Sequence, residues 1–265
     1  MIDEVSAQSE RRRGRLVSTN PLTGMEIGDV AIMQIAEVRG LVSAARAAQA
    51  EWSGRSLNQR AQALRWLRRL LNARADAVAD VIRSETGKVI GEALFEVVIA
   101  CDHLDYLARK VPSALLARQA GSGWLSHRKA RVGYDPYGVI GAITPWNYPF
   151  AISMGAVCTA LAGGNGVVLK PSEFTQMTGQ IVSELVGEAM ASDDLVAVAT
   201  GDGSTGAALI AAGVDKIAFT GSTATGKKVM AAAAESLTPV VLELGGKDAM
   251  IVCGDADVER AARGA

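Results

Sequence analysis

The 265-residue chain is 49% hydrophobic, enough for one large core or two modest ones, and its net charge of −1 lacks the basic surplus with which nucleic-acid binders meet phosphates. Three widely spaced cysteines, Cys101, Cys158 and Cys253, and only two histidines, His103 and His127, suggest neither a disulfide framework nor a metal site. The charge thus points to a small-molecule partner without nucleic acid and the cysteine usage to the cytoplasm, and no apolar stretch is long enough to span a bilayer, so no membrane is expected.

The first segment is polar, carries Arg11, Arg12, Arg13 and Arg15, and is not followed by an apolar run. It reads as a flexible, solvated arm over residues 1–19 and not as a secretory signal. Asn20-Pro-Leu-Thr-Gly24 reads as a turn between short extended pieces that reach Gly28. A helix is expected from about Ile35 to Trp52. Ser56 and Gln59 then form the capping box of a second helix, whose apolar residues from Leu57 to Ile82 recur at three- and four-residue intervals until Gly87 ends it. A third helix uses Val89, Ala93, Val97, Cys101, Leu104, Ala108 and Val111, which places Cys101 on the buried face as a small hydrophobe.

Between Arg128 and Ile143, apolar and aromatic residues surround Asp135-Pro136 and Gly138, predicting two strands joined at a turn and a hairpin that projects. Beyond Pro149 helix and strand alternate. Strands are expected at Val167–Lys170, Leu195–Thr200 and Lys216–Phe219, around Glu243, and at Ala249–Cys253, with helices at Thr178–Met190, Thr205–Ala212 and Thr225–Ser236. The fold class is therefore α/β, a Rossmann-like doubly wound parallel sheet with N-terminal helices and a projecting β-hairpin.

Four stretches carry chemistry. Thr144-Pro-Trp-Asn147-Tyr-Pro-Phe150 is rigid and non-helical at a strand end; it is either a bare structural corner or a mount for an amide that must already point where charge develops. Lys170 and Glu173 close a buried strand, as an exposed loop pair or as partners of a ribose. Gly201-Asp-Gly-Ser-Thr-Gly206 fits the dinucleotide pattern weakly, and Phe219-Thr-Gly-Ser222 precedes a helix start that suits a pyrophosphate or simply carries an N-cap. In Pro239-Val-Val-Leu-Glu-Leu-Gly-Gly-Lys247 a strand expected to be buried on both faces is interrupted by Glu243. That carboxylate is either a surface residue opening a turn or a catalytic group, with Gly245 letting the backbone approach a ligand.

Pro145-Trp-Asn-Tyr-Pro149, Lys170-Pro-Ser-Glu173, Phe219-Thr-Gly-Ser222 and Glu243-Leu-Gly-Gly-Lys247, in this order and at these separations, resemble the NAD(P)-dependent aldehyde dehydrogenase superfamily from about Asn20 onward. The resemblance implies oxidation of a small aldehyde to a carboxylic acid with NAD, or NADP as the alternative, through a cysteine thiohemiacetal and thioester. It implies that Asn147 holds the oxyanion and that Glu243 is the general base that activates water. Lys170 and Glu173 would then face the adenosine ribose, and Gly203 and Ser222 the adenine and pyrophosphate region. Trp146 would line the cofactor cleft, with Gly245 among the cofactor-binding residues. Residues 20–127 and 144–265 would form the NAD(P)-binding domain and 128–143 an oligomerisation hairpin, in a homo-oligomer when complete. The family's nucleophilic cysteine follows in a Gly-Gln-x-Cys setting that would fall after Ala265, so these residues are expected to be an N-terminal portion, inactive alone. Cys253, ending an apolar run, is expected to be buried and unreactive. The alternatives are a non-catalytic nucleotide-binding or regulatory protein of this fold, and a purely structural assembly subunit.

Overall fold

The computed structural model describes residues 10–12, 14–125 and 127–265. Residues 1–9 and 13 of the expected arm lie outside the described residues, but the arm does not extend to Thr19. Strand β1 (Glu10–Arg12) pairs antiparallel with β2 (Arg15–Thr19), which pairs antiparallel with β3 (Glu26–Ala31) across the Asn20 turn. The charges around it conceal a short strand whose Leu16, Val17 and Ser18 are buried, with the Ser18 hydroxyl donating to Glu85 at 2.8 Å.

Helices α1 (Ile35–Ser53), α2 (Leu57–Ala73), α3 (Ala75–Thr86) and α4 (Ile90–Ala114) follow. The Ser56 and Gln59 capping box forms as expected. The single helix expected from Leu57 to Ile82 is two, because Arg74 leaves helical geometry with φ −111° and ψ 17°. The apolar stripe runs through that break, since Leu71 and Val78 on either side are both fully buried, so periodicity cannot reveal it. Gly87 ends α3 at φ 72°, a left-handed conformation that favours glycine.

The hairpin expected at 128–143 pairs differently. Strand β4 (Arg118–Ala120) pairs antiparallel with β5 (Ala130–Val132), whereas β6 (Val139–Ile143) enters the main sheet. The reason lies in β6 itself. Val139, Ile140, Gly141 and Ala142 are all buried, a pattern that needs a strand neighbour on each edge and cover on both faces, which a projecting hairpin cannot supply.

Helix α5 (Pro149–Ala162), β7 (Gly166–Lys170), α6 (Gln176–Met190), β8 (Val196–Val198), α7 (Gly203–Ala211), β9 (Lys216–Gly221), α8 (Thr223–Ala234) and β10 (Val240–Leu244) complete the alternation. The five strands form a parallel sheet in the order β10-β9-β6-β7-β8. Val167 and Leu169 join one core with α2 to α6, while Val168 between them joins the core under α1, α7 and α8. That alternation is what wraps helices on both faces.

Three expectations fail at the end of the chain. Strand β10 is an edge strand, with Val241, Glu243 and Leu244 exposed, so it is not buried on both faces. Residues 249–253 form no strand and are exposed, because no element runs beside them; Cys253 is exposed too, contrary to the burial expected of it. A short helix, α9 (Val258–Gly264), follows, capped by Asp257 accepting from the Arg260 N–H at 3.0 Å.

Candidate active site

The chain runs outward from β6 through β7 to β8, then returns to lay β9 on the opposite edge of β6. Strand order thus reverses between β6 and β9, and the loops leaving the carboxyl ends of those strands diverge to open a crevice. A cleft of about 1120 Å³ lies there. Its walls include Trp146, Asn147, Lys170, Glu173, Gly203, Ser222, Glu243 and Gly245, so each residue singled out in the sequence reaches one site from the ends of five strands.

Lys170 is only 4% exposed, and its ammonium lies 3.5 Å from the Glu173 carboxylate. The exposed-pair alternative is thereby removed. Burial holds the Lys170 ammonium below its usual range, opposed by the charges of Glu173 and Asp202. A cation placed there loses water, and its ion pair to Glu173 is long at 3.5 Å, which leaves it able to donate to a ligand.

Both helix starts facing the cleft are capped. Asp202 accepts from the Ser204 N–H at 2.8 Å and from its hydroxyl at 2.6 Å, while Ser222 accepts from the Thr225 N–H at 3.2 Å. Two of the three glycines in residues 201–206 differ in purpose. At Gly201, with φ 144°, a Cβ would lie 2.0 Å from the Thr205 hydroxyl oxygen, so packing alone requires glycine. At Gly203 a Cβ would meet nothing within 4 Å, and the same holds at Gly245. Bare backbone facing open space, two helix N-termini and a desolvated cation fit a dinucleotide, whose pyrophosphate takes N–H groups and whose ribose takes charged partners.

Asn147 is exposed in the cleft, and its Oδ1 accepts from the Tyr148 N–H at 3.0 Å. With the amide oxygen engaged, Nδ2 remains the donor available to a substrate oxygen. Glu243 is likewise exposed. It stands on the wall shared with a second cavity of about 700 Å³, lined among others by His103, Tyr137, Ile152 and Thr159.

The sequence reading missed Lys88 and Glu96, which grip the Asn147 segment from beneath. The signal was present: Glu96 interrupts the apolar stripe formed by Ala93, Val97 and Ala100 and is fully buried. Glu85 was missed likewise, buried in α3 and accepting from the N–H groups of Met177 and Thr178 at the start of α6. Lys228 of α8, also unforeseen, lines the cleft.

None of the cysteines lines either cavity. Cys158 is fully enclosed in α5 and burial pushes its thiol far up. Cys101 is partly buried and its thiol is also raised by burial, with Arg68 opposing. A raised thiol is a poor source of thiolate. Among the described residues no helix is long and apolar enough to cross a membrane.

Comparison with known proteins gives this geometry a family. The profile of the aldehyde dehydrogenase family matches residues 7–265, and the chain belongs to that family. It is 38% identical over 253 residues to 4,4'-diapolycopene aldehyde oxidase of Methylomonas sp, covering 94% of this chain and 48% of that protein. It is 39% identical over 250 residues to the mitochondrial succinate-semialdehyde dehydrogenase of Arabidopsis thaliana, covering 92% of this chain and 46% of that protein. The solved aldehyde dehydrogenase of Brucella melitensis biovar abortus 2308 superposes with a TM-score of 0.90 at 31% identity, over 94% of this chain and 52% of that one. The chain thus spans about half the length of the curated relatives it matches. Similar solved structures include NAD-dependent and NADP-dependent members, so the family uses either cofactor.

Proposed function

We propose that this chain supplies the cofactor cleft, the oxyanion donor and the general base of an NAD-dependent aldehyde dehydrogenase. The observation that carries the reading is the convergence of Asn147, Lys170, Glu173, Gly203, Ser222, Glu243 and Gly245 on one crevice at the strand-order reversal. The N-termini of α7 and α8 receive the pyrophosphate, and Lys170 and Glu173 the adenosine ribose, with Trp146 on the wall. The bound cofactor supplies the hydride acceptor. Asn147 Nδ2 donates to the aldehyde oxygen as it gains negative charge, and Glu243 takes a proton from water in the step that releases the acid.

Glu173 favours NAD, because a carboxylate beside a 2′-phosphate is repulsive in a partly desolvated cleft. The thiol nucleophile comes from sequence outside these 265 residues, a reading supported by the absence of any cysteine along the cleft walls. The three cysteines are unpaired, which supports the cytoplasm as compartment. Self-assembly through the ribbon of β4 and β5 is supported by the exposure of Leu116, Trp124 and Leu125 in the segments beside its strands.

Single-turnover NADH formation in a preparation that oxidises aldehyde tests the roles. Asn147→Ala slows the burst by about a hundredfold or more. Glu243→Gln preserves the burst and slows steady-state release of the acid by a comparable factor, roughly a hundredfold. An unchanged steady-state rate in Glu243→Gln would refute its assignment as base.

A further inference from the structure

Lys88 and Glu96 lie beneath the cleft and are not part of its walls. Their side chains are 16% and 0% exposed, and Lys88 Nζ lies 2.6 Å from Glu96 Oε1. A buried ion pair is weak evidence for stability, since packed apolar residues of the same volume often serve as well. What this pair does is better read from where its remaining bonds go. Lys88 Nζ donates to the carbonyl oxygen of Asn147 and stands 4.0 Å from the centre of the Tyr148 ring. The other Glu96 oxygen, Oε2, accepts from the N–H groups of Phe150 and Ala151, both at 3.0 Å. Pro149, between these contacts, opens α5 and has no N–H of its own. One ion pair therefore grips residues 147 to 151 on both sides of the proline.

A capping role for α5 would explain Glu96 alone. It does not explain Lys88, whose two further contacts lie before the helix begins, on Asn147 and Tyr148. We propose that Lys88 and Glu96 are positioning residues for the Asn147 amide, a role that rests on the reading of Asn147 as the oxyanion donor. Lys88 fixes the Asn147 carbonyl, and the Tyr148 N–H, in the peptide held below it, fixes Oδ1. Nδ2 is thereby aimed before any substrate arrives. Preorganisation of this kind matters because an error of about 1 Å in a reacting group costs on the order of a hundredfold in rate.

The test begins with the 265-residue chain labelled with 15N only at asparagine, which gives five side-chain amide pairs, from Asn20, Asn58, Asn72, Asn147 and Asn165. The Asn147 pair is the one lost in Asn147→Ala. Lys88→Met is expected to shift or broaden that pair while Asn58 and Asn72, exposed on α2, stay in place. Lys88→Arg, which restores a cation, returns it towards its original position. Glu96→Gln, which keeps volume and polarity, gives the same displacement and serves if Lys88→Met does not fold. An unmoved Asn147 pair in a folded variant overturns the proposal, and so does movement of all five pairs, which would mark the ion pair as general scaffolding.

The second arm measures rate in a preparation that oxidises aldehyde. Lys88→Met is expected to lower kcat by about ten- to a hundredfold with KM for NAD unchanged, and adding Lys88→Met to Asn147→Ala is expected to lower the rate no further than Asn147→Ala alone does. Additive losses would overturn the proposal. A normal rate in Asn147→Ala alone would instead overturn the oxyanion reading, a failure that the amide spectra distinguish because they do not depend on turnover.

Discussion

Two carboxylates, Glu173 and Glu85, stand in opposite surroundings. Glu173 is partly exposed in the cleft beside Lys170, where a nucleotide phosphate would meet it. Glu173→Gln removes that repulsion and is expected to tighten NADP binding by roughly tenfold, with a smaller change for NAD. Parallel calorimetric titrations with both cofactors check this, and an unchanged preference would remove Glu173 from the selection. Glu85 is buried and accepts from Ser18, from the Met177 N–H and from both the N–H and the hydroxyl of Thr178. Burial nevertheless raises its carboxyl above the ordinary value of 4.5, with those donors opposing the shift. A raised folded pKa gives a stability contribution that is full below the unfolded value and is lost as pH rises through the folded one. The stability of the native chain relative to Glu85→Gln is thus expected to fall from about pH 4.5 upward until Glu85 is fully ionised. Urea unfolding of both proteins across that range measures it. A difference that grows with pH would contradict the account.

At the scale of elements, the turn between α3 and α4 sets the position of Lys88. Gly87 has φ 72°, and a Cβ there would stand 3.1 Å from Pro21 and 3.3 Å from Leu22. Gly87→Ala is expected to cost about 1–2 kcal/mol from the left-handed backbone, read by chemical denaturation. A neutral substitution would show that this turn relaxes freely. The sequence made such elements legible wherever local chemistry is decisive: the Ser56 cap, the Gly87 stop and the strand and helix alternation from Pro149 to Leu244 stand where the residues place them. It did not disclose pairing between distant segments. Whether Ala130–Val132 pairs with Arg118–Ala120 or with Val139–Ile143 depends on competition for a place in the sheet, and nothing in the Asp135-Pro136 turn records that competition. Edge position is equally non-local. Val240, Val241 and Leu242 read as an interior strand, yet β10 has a neighbour on one side only. The site was more legible than the pairing, because the residues that line the cleft sit in short contiguous motifs at strand ends. The supports under them, Lys88, Glu96 and Glu85, come from more than fifty residues earlier, and only the two glutamates announce themselves, as carboxylates in the apolar stripes of helices.

At the scale of the whole molecule, one sheet brings five loop ends together, and the helices on its two faces fix their spacing. The cleft, its capped helix starts and Lys170 all belong to these 265 residues, whereas no thiol stands along its walls. Calorimetric titration of the 265-residue chain with NAD, followed by addition of aldehydes, tests this most directly. The account predicts a single saturable site, weakened by about tenfold or more in Lys170→Met, and no formation of NADH. Absence of saturable binding, binding indifferent to Lys170→Met, or NADH formation abolished by Cys253→Ser would contradict it.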